Sequence, residues 1–184
     1  MTEHSSLPSS RIIPGFAFCP RCGAASLSVF DTRAVRCARC SFKFYFNCAA
    51  AVGGLLLYQG KLIIGVRGND PQKGMLDMPG GFIEFGETAE EALAREVLEE
   101  VNIAIADPVY LTSAPNDYLY ADVLYKTTDP FFVCKVEDIS TLKAGDDVAD
   151  YRLIAPTEID PQQLAFTSGR IALAKLLERL HDFT

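Results

Sequence analysis

The chain is 184 residues long, 49% of them hydrophobic and 22% charged, with a net charge of −7. This suits one domain, or one domain with a small added module; it excludes wholesale disorder and disfavours a general nucleic-acid binder. The longest apolar run, residues 48–58, falls far below the roughly 18 residues of a membrane helix, and the start, MTEHSSLPSSR, lacks a basic flank followed by an apolar stretch, so a soluble, cytoplasmic protein is expected.

Residues 1–15, rich in Ser and Pro, read as a loose tail. Residues 16–47 read as a separate module, because they hold four of the six cysteines as two CxxC pairs, Cys19–Cys22 and Cys37–Cys40, fourteen residues apart. Each pair offers two thiolates to one tetrahedral ion, and the residues between them form the hairpin that brings the pairs together. Gly23 follows the first pair, where a knuckle turn favours positive φ. Two disulfides or a redox pair are the alternatives, but disulfides need an oxidising compartment and nothing points to export. A structural Zn²⁺ held by Cys19, Cys22, Cys37 and Cys40 is therefore expected, and Cys48 and Cys134 read as ordinary buried cysteines. Residues 1–48 also carry six Lys/Arg (Arg11, Arg21, Arg33, Arg36, Arg39 and Lys43) against two acids, an asymmetry that suggests a second kind of partner or ordinary surface variation.

From residue 48 to 184 the texture is that of a mixed α/β domain. AVGGLLLY and KLIIGVR are strands joined at QG as a hairpin, and further strands are predicted near 109–112, 118–126, 130–136 and 151–154. Helices are predicted over 89–101 and 168–181, the second with Ile171, Leu173, Leu176, Leu177 and Leu180 on its apolar side.

The first helix carries the chemistry. Thr88 with Glu91 makes a capping box. At about 100° per residue, Leu93, Val97 and Val101 form an apolar stripe flanked by Ala94 and Leu98, while Glu96, Glu99 and Glu100 cluster on another side. Three adjacent carboxylates repel one another unless something neutralises them. A hard divalent cation does so; a solvated acidic face is the competing reading.

The surrounding residues decide between them. Gly81, five residues, Glu87, seven residues, Arg95-Glu96-Val97, one residue, Glu99-Glu100, one residue, Asn102-Ile103 closely resembles the Nudix box, departing from it only at Asn102, where that family has glycine. This position ends the helix in the left-handed conformation, which asparagine tolerates best after glycine, so the box reads as intact. The resemblance implies the Nudix α/β/α sandwich with a mixed sheet and an N-terminal zinc ribbon. It also implies Mg²⁺- or Mn²⁺-dependent hydrolysis of a nucleoside diphosphate linked to another group. Position by position, Glu96, Glu99 and Glu100 match the metal-binding glutamates, Arg95 and Glu87 the pair that orients the helix, Gly81 the glycine that lets backbone approach the metal site, and Gly80 a backbone-carbonyl donor. Glu99 is the foremost general-base candidate; Asp146 and Asp147 of a later loop, and Glu84 inside the box loop, are the alternatives. Arg67 is a phosphate-binding candidate, and Tyr118 and Tyr120 are base-stacking candidates.

A four-cysteine ribbon ahead of the box resembles two branches, the NADH pyrophosphatases and a group that includes FAD pyrophosphatases. The first carries an SQPWPFPxS array, which is absent from this tryptophan-free chain; the tract DPQQLAFTS (160–168) looks more like the second. The expected substrate is thus a dinucleotide or nucleotide sugar such as FAD or ADP-ribose. NAD(H) or NAD-capped RNA hydrolysis, with the basic ribbon meeting nucleic acid, and a non-catalytic nucleotide sensor are the alternatives. Homodimers are common in the family.

Overall fold

Three short antiparallel strands follow the first CxxC pair: β1 (Leu27–Asp31), β2 (Ala34–Cys37) and β3 (Lys43–Tyr45), in the order β1-β2-β3. They belong to a computed structural model that describes residues 16–121, 123–145 and 148–183; the expected tail, 1–15, lies outside the described residues. The chain divides into two units, one comprising the residues before Ala49 with Leu119–Leu124, the other Ala49–Tyr118 and the chain from Tyr125 on. In the first unit the two thiol pairs are turned by similar knuckles. Gly23 N–H donates to the Cys19 carbonyl (2.8 Å) and Ser41 N–H to the Cys37 carbonyl (3.0 Å), with Gly23 and Ser41 both at positive φ. Its buried apolar residues are few, Ala34 and Val35 beside Cys19 and Cys37.

The second unit is built on β4 (Ala49–Tyr58), β5 (Lys61–Arg67), β6 (Leu76–Asp77), β7 (Gly80–Phe82), β8 (Val109–Tyr120), β9 (Val123–Lys135) and β10 (Val148–Ile154). The sheet runs β10-β5-β4-β9-β8, with β6 on β5 and β7 on β4. It is mixed, since β4 pairs parallel with β9 and antiparallel with β5 and β7. The QG hairpin forms as expected, Gln59 and Gly60 both at positive φ, the turn that matches strand twist. Strand alternation then sorts the core onto two faces. Leu55, Leu57, Leu62 and Ile64 pack with Ala172, Leu173 and Leu176 of α2 (Thr167–Glu178). Val52, Leu56 and Ile63 pack with Ala92, Leu93, Val97 and Val101 of α1 (Ala89–Val101). This is the expected sandwich.

Four details depart from the sequence reading. Leu98 is exposed and Ala92 buried in its place, because the helix rests on the sheet along the 93–97–101 line. Ile171 and Leu177 are also exposed, being turned away from the face that carries Ala172, Leu173 and Leu176. Cys48 is exposed, whereas Cys134 is buried and its thiol is pushed up to about 12 by burial. The segment read as three strands over 109–136 is two long ones, Val109–Tyr120 and Val123–Lys135. Both contain a proline: Pro115 lies on β8, the edge strand, and Pro130 lies where the β4–β9 pairing skips from Ala50–Thr128 to Gly53–Phe131, positions at which a missing N–H breaks no ladder.

Candidate active site and thiol cluster

Helix α1 is fixed at both ends. Thr88 Oγ1 accepts from Glu91 N–H (3.2 Å) and Glu91 Oε2 accepts from Thr88 N–H (2.8 Å), the expected capping box. Asn102 stands in the left-handed region (φ 54°, ψ 40°), and its N–H donates to the Leu98 carbonyl. Its side chain does what glycine could not: Nδ2 donates to the Thr141 carbonyl (2.8 Å), and Thr141 Oγ1 donates back to the Asn102 carbonyl (2.8 Å). Lys143 and Gly145 N–H groups take the Val101 and Glu100 carbonyls, so the following loop closes the helix end.

Along the exposed side of α1 the acids are held by one arginine. Arg95 grips Glu87 with both Nε (2.8 Å) and Nη2 (2.9 Å), while Nη1 reaches Glu96 (2.8 Å) and Glu99 (3.3 Å) and Nη2 also donates to the Phe82 carbonyl (3.1 Å). This bidentate pairing holds the Glu87 carboxyl at about 2 and raises the Arg95 pKa. Glu100 is different. It accepts from Gly80 N–H (3.0 Å), yet burial, with Asp77 and Glu96 nearby, pushes its carboxyl up to about 8. Gly80 and Gly81 permit this approach. Gly80 has φ +151° and a Cβ there would run into the Val52 carbonyl; a Cβ on Gly81 would strike the Glu96 carboxylate.

These groups border a cleft of about 410 Å³. Gly80, Gly81, Glu84, Arg95, Glu96, Glu99 and Glu100 line one part of it, and Arg67 and Tyr118 also face it. Glu87 acts from behind, through Arg95. Tyr120 is exposed and outside the cleft's lining; Asp146 and Asp147 lie outside the described residues. Arg67 is pinned: Nη1 pairs with Asp77 (2.7 Å), Nε donates to the Pro71 carbonyl (2.8 Å), and the guanidinium lies 4.8 Å from the Phe166 ring centre. Phe82, Tyr118 and Phe166 form an aromatic run, Tyr118 being 5.6 Å from Phe82 and 5.5 Å from Phe166 between ring centres.

Sequence reasoning missed the residues that the fold brings from outside the box. Asp77 on β6, with its carboxyl pushed up to about 6 by burial despite Arg67, is one. Asn116 on β8 and Thr127 and Asp129 on β9 are the others; all of them line the cleft, Asp77 half-buried and the other three buried. The available signal was alternation, since Thr127, Asp129 and Phe131 share one face of a strand whose middle had been read as a break.

In the N-terminal unit all four Sγ atoms of Cys19, Cys22, Cys37 and Cys40 lie within 4.8 Å of one another, buried or half-buried. Cys19–Cys40 and Cys22–Cys37 are 3.7 and 3.8 Å apart, far beyond the roughly 2.05 Å of a disulfide. The Ser26 hydroxyl beside Cys37 (3.1 Å) pulls that thiol down to about 6. Cys40 rises to about 11: the Phe42 N–H favours its thiolate, but burial and the neighbouring sulfurs prevail. The cluster can hold a metal ion.

Comparison with known proteins agrees. An ADP-ribose pyrophosphatase of Methanocaldococcus jannaschii is 42% identical over 62 residues, 34% of this chain and 37% of that protein. The NAD-capped RNA hydrolase NudC of Haemophilus influenzae is 33% identical over 102 residues, 53% of this chain and 38% of that protein. The chain therefore spans under two-fifths of the length of these curated relatives. A crystal structure of a NUDIX hydrolase from Nitrosomonas europaea matches with a TM-score of 0.70 and 26% identity, over 91% of this chain and 93% of that one. Residues 49–177, which contain the whole glutamate helix and its glycine loop, match the model of the NUDIX domain, and the chain belongs to the Nudix family.

Proposed function

We propose that this chain is a divalent-metal-dependent pyrophosphohydrolase that cleaves the pyrophosphate of a nucleoside diphosphate linked to a second group, ADP-ribose or FAD being the substrate class. The observation that carries this reading is the gathering of Glu96, Glu99 and Glu100 beside the Gly80–Gly81 backbone in one cleft. The donor set fits Mg²⁺ or Mn²⁺, because carboxylates and a backbone carbonyl are hard oxygen ligands. Glu100, whose ionisation burial opposes, is the kind of group a nearby cation lets ionise. In this reading Glu96, Glu99, Glu100 and the Gly80 carbonyl hold the metal. Bound there, divalent ions neutralise pyrophosphate oxygens and lower the pKa of an attacking water. Arg95, clamped by Glu87, keeps Glu96 and Glu99 aimed. Glu99, with 49% of its side chain exposed against 14% for Glu96, is the more open of the two and the carboxylate we assign to accept the water's proton. Arg67 offers a fixed cation to a phosphate, and Tyr118 with Phe82 and Phe166 offers ring faces to the nucleoside.

In the N-terminal unit the four thiolates would hold one structural Zn²⁺. Tetrahedral Zn–S bonds of about 2.3 Å imply sulfurs about 3.8 Å apart, which the spacings of 3.7 and 3.8 Å meet. Four protein ligands leave no open position, so this ion serves folding. An unbridged thiol cluster suits a reducing compartment, and we assign the chain to the cytoplasm.

The relative named an ADP-ribose pyrophosphatase supports the substrate class. A second reading, hydrolysis of NAD-capped RNA, is favoured by the NudC relatives and by the ribbon, where exposed Phe18, Phe30, Phe44 and Tyr45 accompany Arg21, Arg33, Arg36, Arg39 and Lys43, as on a surface that stacks single strands. Incubation with Mg²⁺ and FAD, ADP-ribose, NADH or NAD-capped RNA, with products resolved by chromatography, separates the readings. AMP with ribose 5-phosphate or FMN supports the first. Cleavage confined to capped RNA, falling steeply with salt, supports the second, and binding without turnover marks a sensor.

A further inference from the structure

β9 crosses the cleft floor with Thr127, Asp129 and Phe131 on one face. Thr127 is 3% and Asp129 6% exposed, and neither Thr127 Oγ1 nor Asp129 Oδ1 has a hydrogen-bond partner. They are the unsatisfied buried side-chain oxygens among the described residues, and both line this cleft. Buried polar groups are otherwise nearly always paired, and here the missing partner must enter from the cleft. A metal does not serve both, since the Thr127 hydroxyl is not among the carboxylate and carbonyl oxygens that usually ligate a hard cation. An anion is excluded by the carboxylate itself. The complement is a neutral O–H or N–H donor, in a cleft that Phe82, Tyr118 and Phe166 also line.

Resting on the pyrophosphohydrolase reading, we infer that Asp129 and Thr127 form the subsite that recognises the nucleoside half of the substrate, accepting hydrogen bonds from its ribose hydroxyls or from the exocyclic amine of its base. These sources share one chemistry and differ in which analogue removes the donor. A site built around buried acceptors discriminates strongly against a ligand that lacks the donor, because the acceptors then stay unpaired.

The test is calorimetric binding of AMP, 2′-deoxy-AMP, 3′-deoxy-AMP and IMP, with Mg²⁺, to the full chain and to its Asp129→Asn and Thr127→Val variants. AMP should bind wild type tightest, and one analogue should lose about 10- to 100-fold. Asp129→Asn should lose a similar factor for AMP and bind AMP and that analogue alike. Its melting temperature should hold or rise, because no internal bond is lost. Equal binding of all four nucleotides by wild type, a variant with the wild-type order of affinities, or no binding at all would overturn the inference. Analogue discrimination on wild type alone still decides should either variant fail to fold. Hydrolysis of ADP-ribose is assayed separately, so binding with discrimination but no turnover sinks the pyrophosphohydrolase reading and leaves the subsite standing.

Discussion

The four thiols of the N-terminal unit sit within 4.8 Å of one another. The three glutamates of α1 are already tied to protein groups: Glu96 and Glu99 to Arg95, Glu100 to the Gly80 N–H. The first set is soft, closed and surrounded by few apolar residues. The second is hard, open to a cleft, and mounted on a unit with two apolar clusters of its own. On the proposed reading, the contrast separates a folding centre from a catalytic one. A module that cannot bury enough surface to fold draws its stability from metal, whereas a unit with a sufficient core can leave its ligands exposed to substrate.

That comparison breaks first, and most heavily, at the ribbon. Cys37→Ser, or removal of metal by a chelator, should open residues 16–48 to protease while the unit from Ala49 onward keeps its melting transition; the metal contributes on the order of 10 kcal/mol in such modules. Metal analysis of the purified chain should find zinc there. Equal loss of both units would show that the ribbon is not independently held. Next in size, Glu99→Gln should lower kcat by about 10²- to 10³-fold, while leaving the thermal transition near that of wild type; a wild-type rate would remove Glu99 from the chemistry.

How far the sequence alone reached divides along the same line. The metal-centre candidates are local: CxxC pairs and a box of 23 residues from Gly81 to Ile103 place their ligands through one knuckle turn or one helix, so spacing is enough. The bounds of α1 and the Thr88 cap followed from sequence for the same reason, whereas α2, predicted over 168–181, stops at Glu178. The cleft floor is not local. Asp77 sits on a two-residue strand that exists only because β5 pairs with it, and Thr127 and Asp129 face inward only because β9 runs parallel to β4. The strands predicted at 118–126 and 130–136 left 127–129 outside both. A polar residue on the inward register of a long strand was the available signal, and it needs the sheet's pairing to be read.

Two smaller perturbations sharpen the account of the open centre. The folded-state carboxyl of Glu87 is held at about 2, well below its usual value near 4.5, by Arg95. A depressed carboxyl stabilises above its unfolded pKa, and the stabilisation fades as pH falls toward the folded value. Wild type should therefore melt above Glu87→Gln at neutral pH, and the gap should close between about pH 4.5 and 2; a gap constant with pH would mean that charge pairing with Arg95 is not what Glu87 supplies. The smallest effect belongs to Asn102. Asn102→Gly relieves the cost of a left-handed residue but loses the Thr141 bond, so it should stay within about 1 kcal/mol of wild type. Asn102→Ala loses the bond without the relief and should cost about 1–2 kcal/mol by denaturant unfolding.

The central claim is that one set of carboxylates both holds a divalent ion and cleaves pyrophosphate. Mn²⁺ binding followed by electron paramagnetic resonance, alongside hydrolysis of ADP-ribose by the same preparation, tests it most directly in wild type and in Glu96→Gln and Glu100→Gln variants. Wild type should bind Mn²⁺ and release AMP and ribose 5-phosphate, and each substitution should weaken both together. Hydrolysis that persists without any divalent ion, or variants that lose Mn²⁺ yet keep full activity, would contradict it.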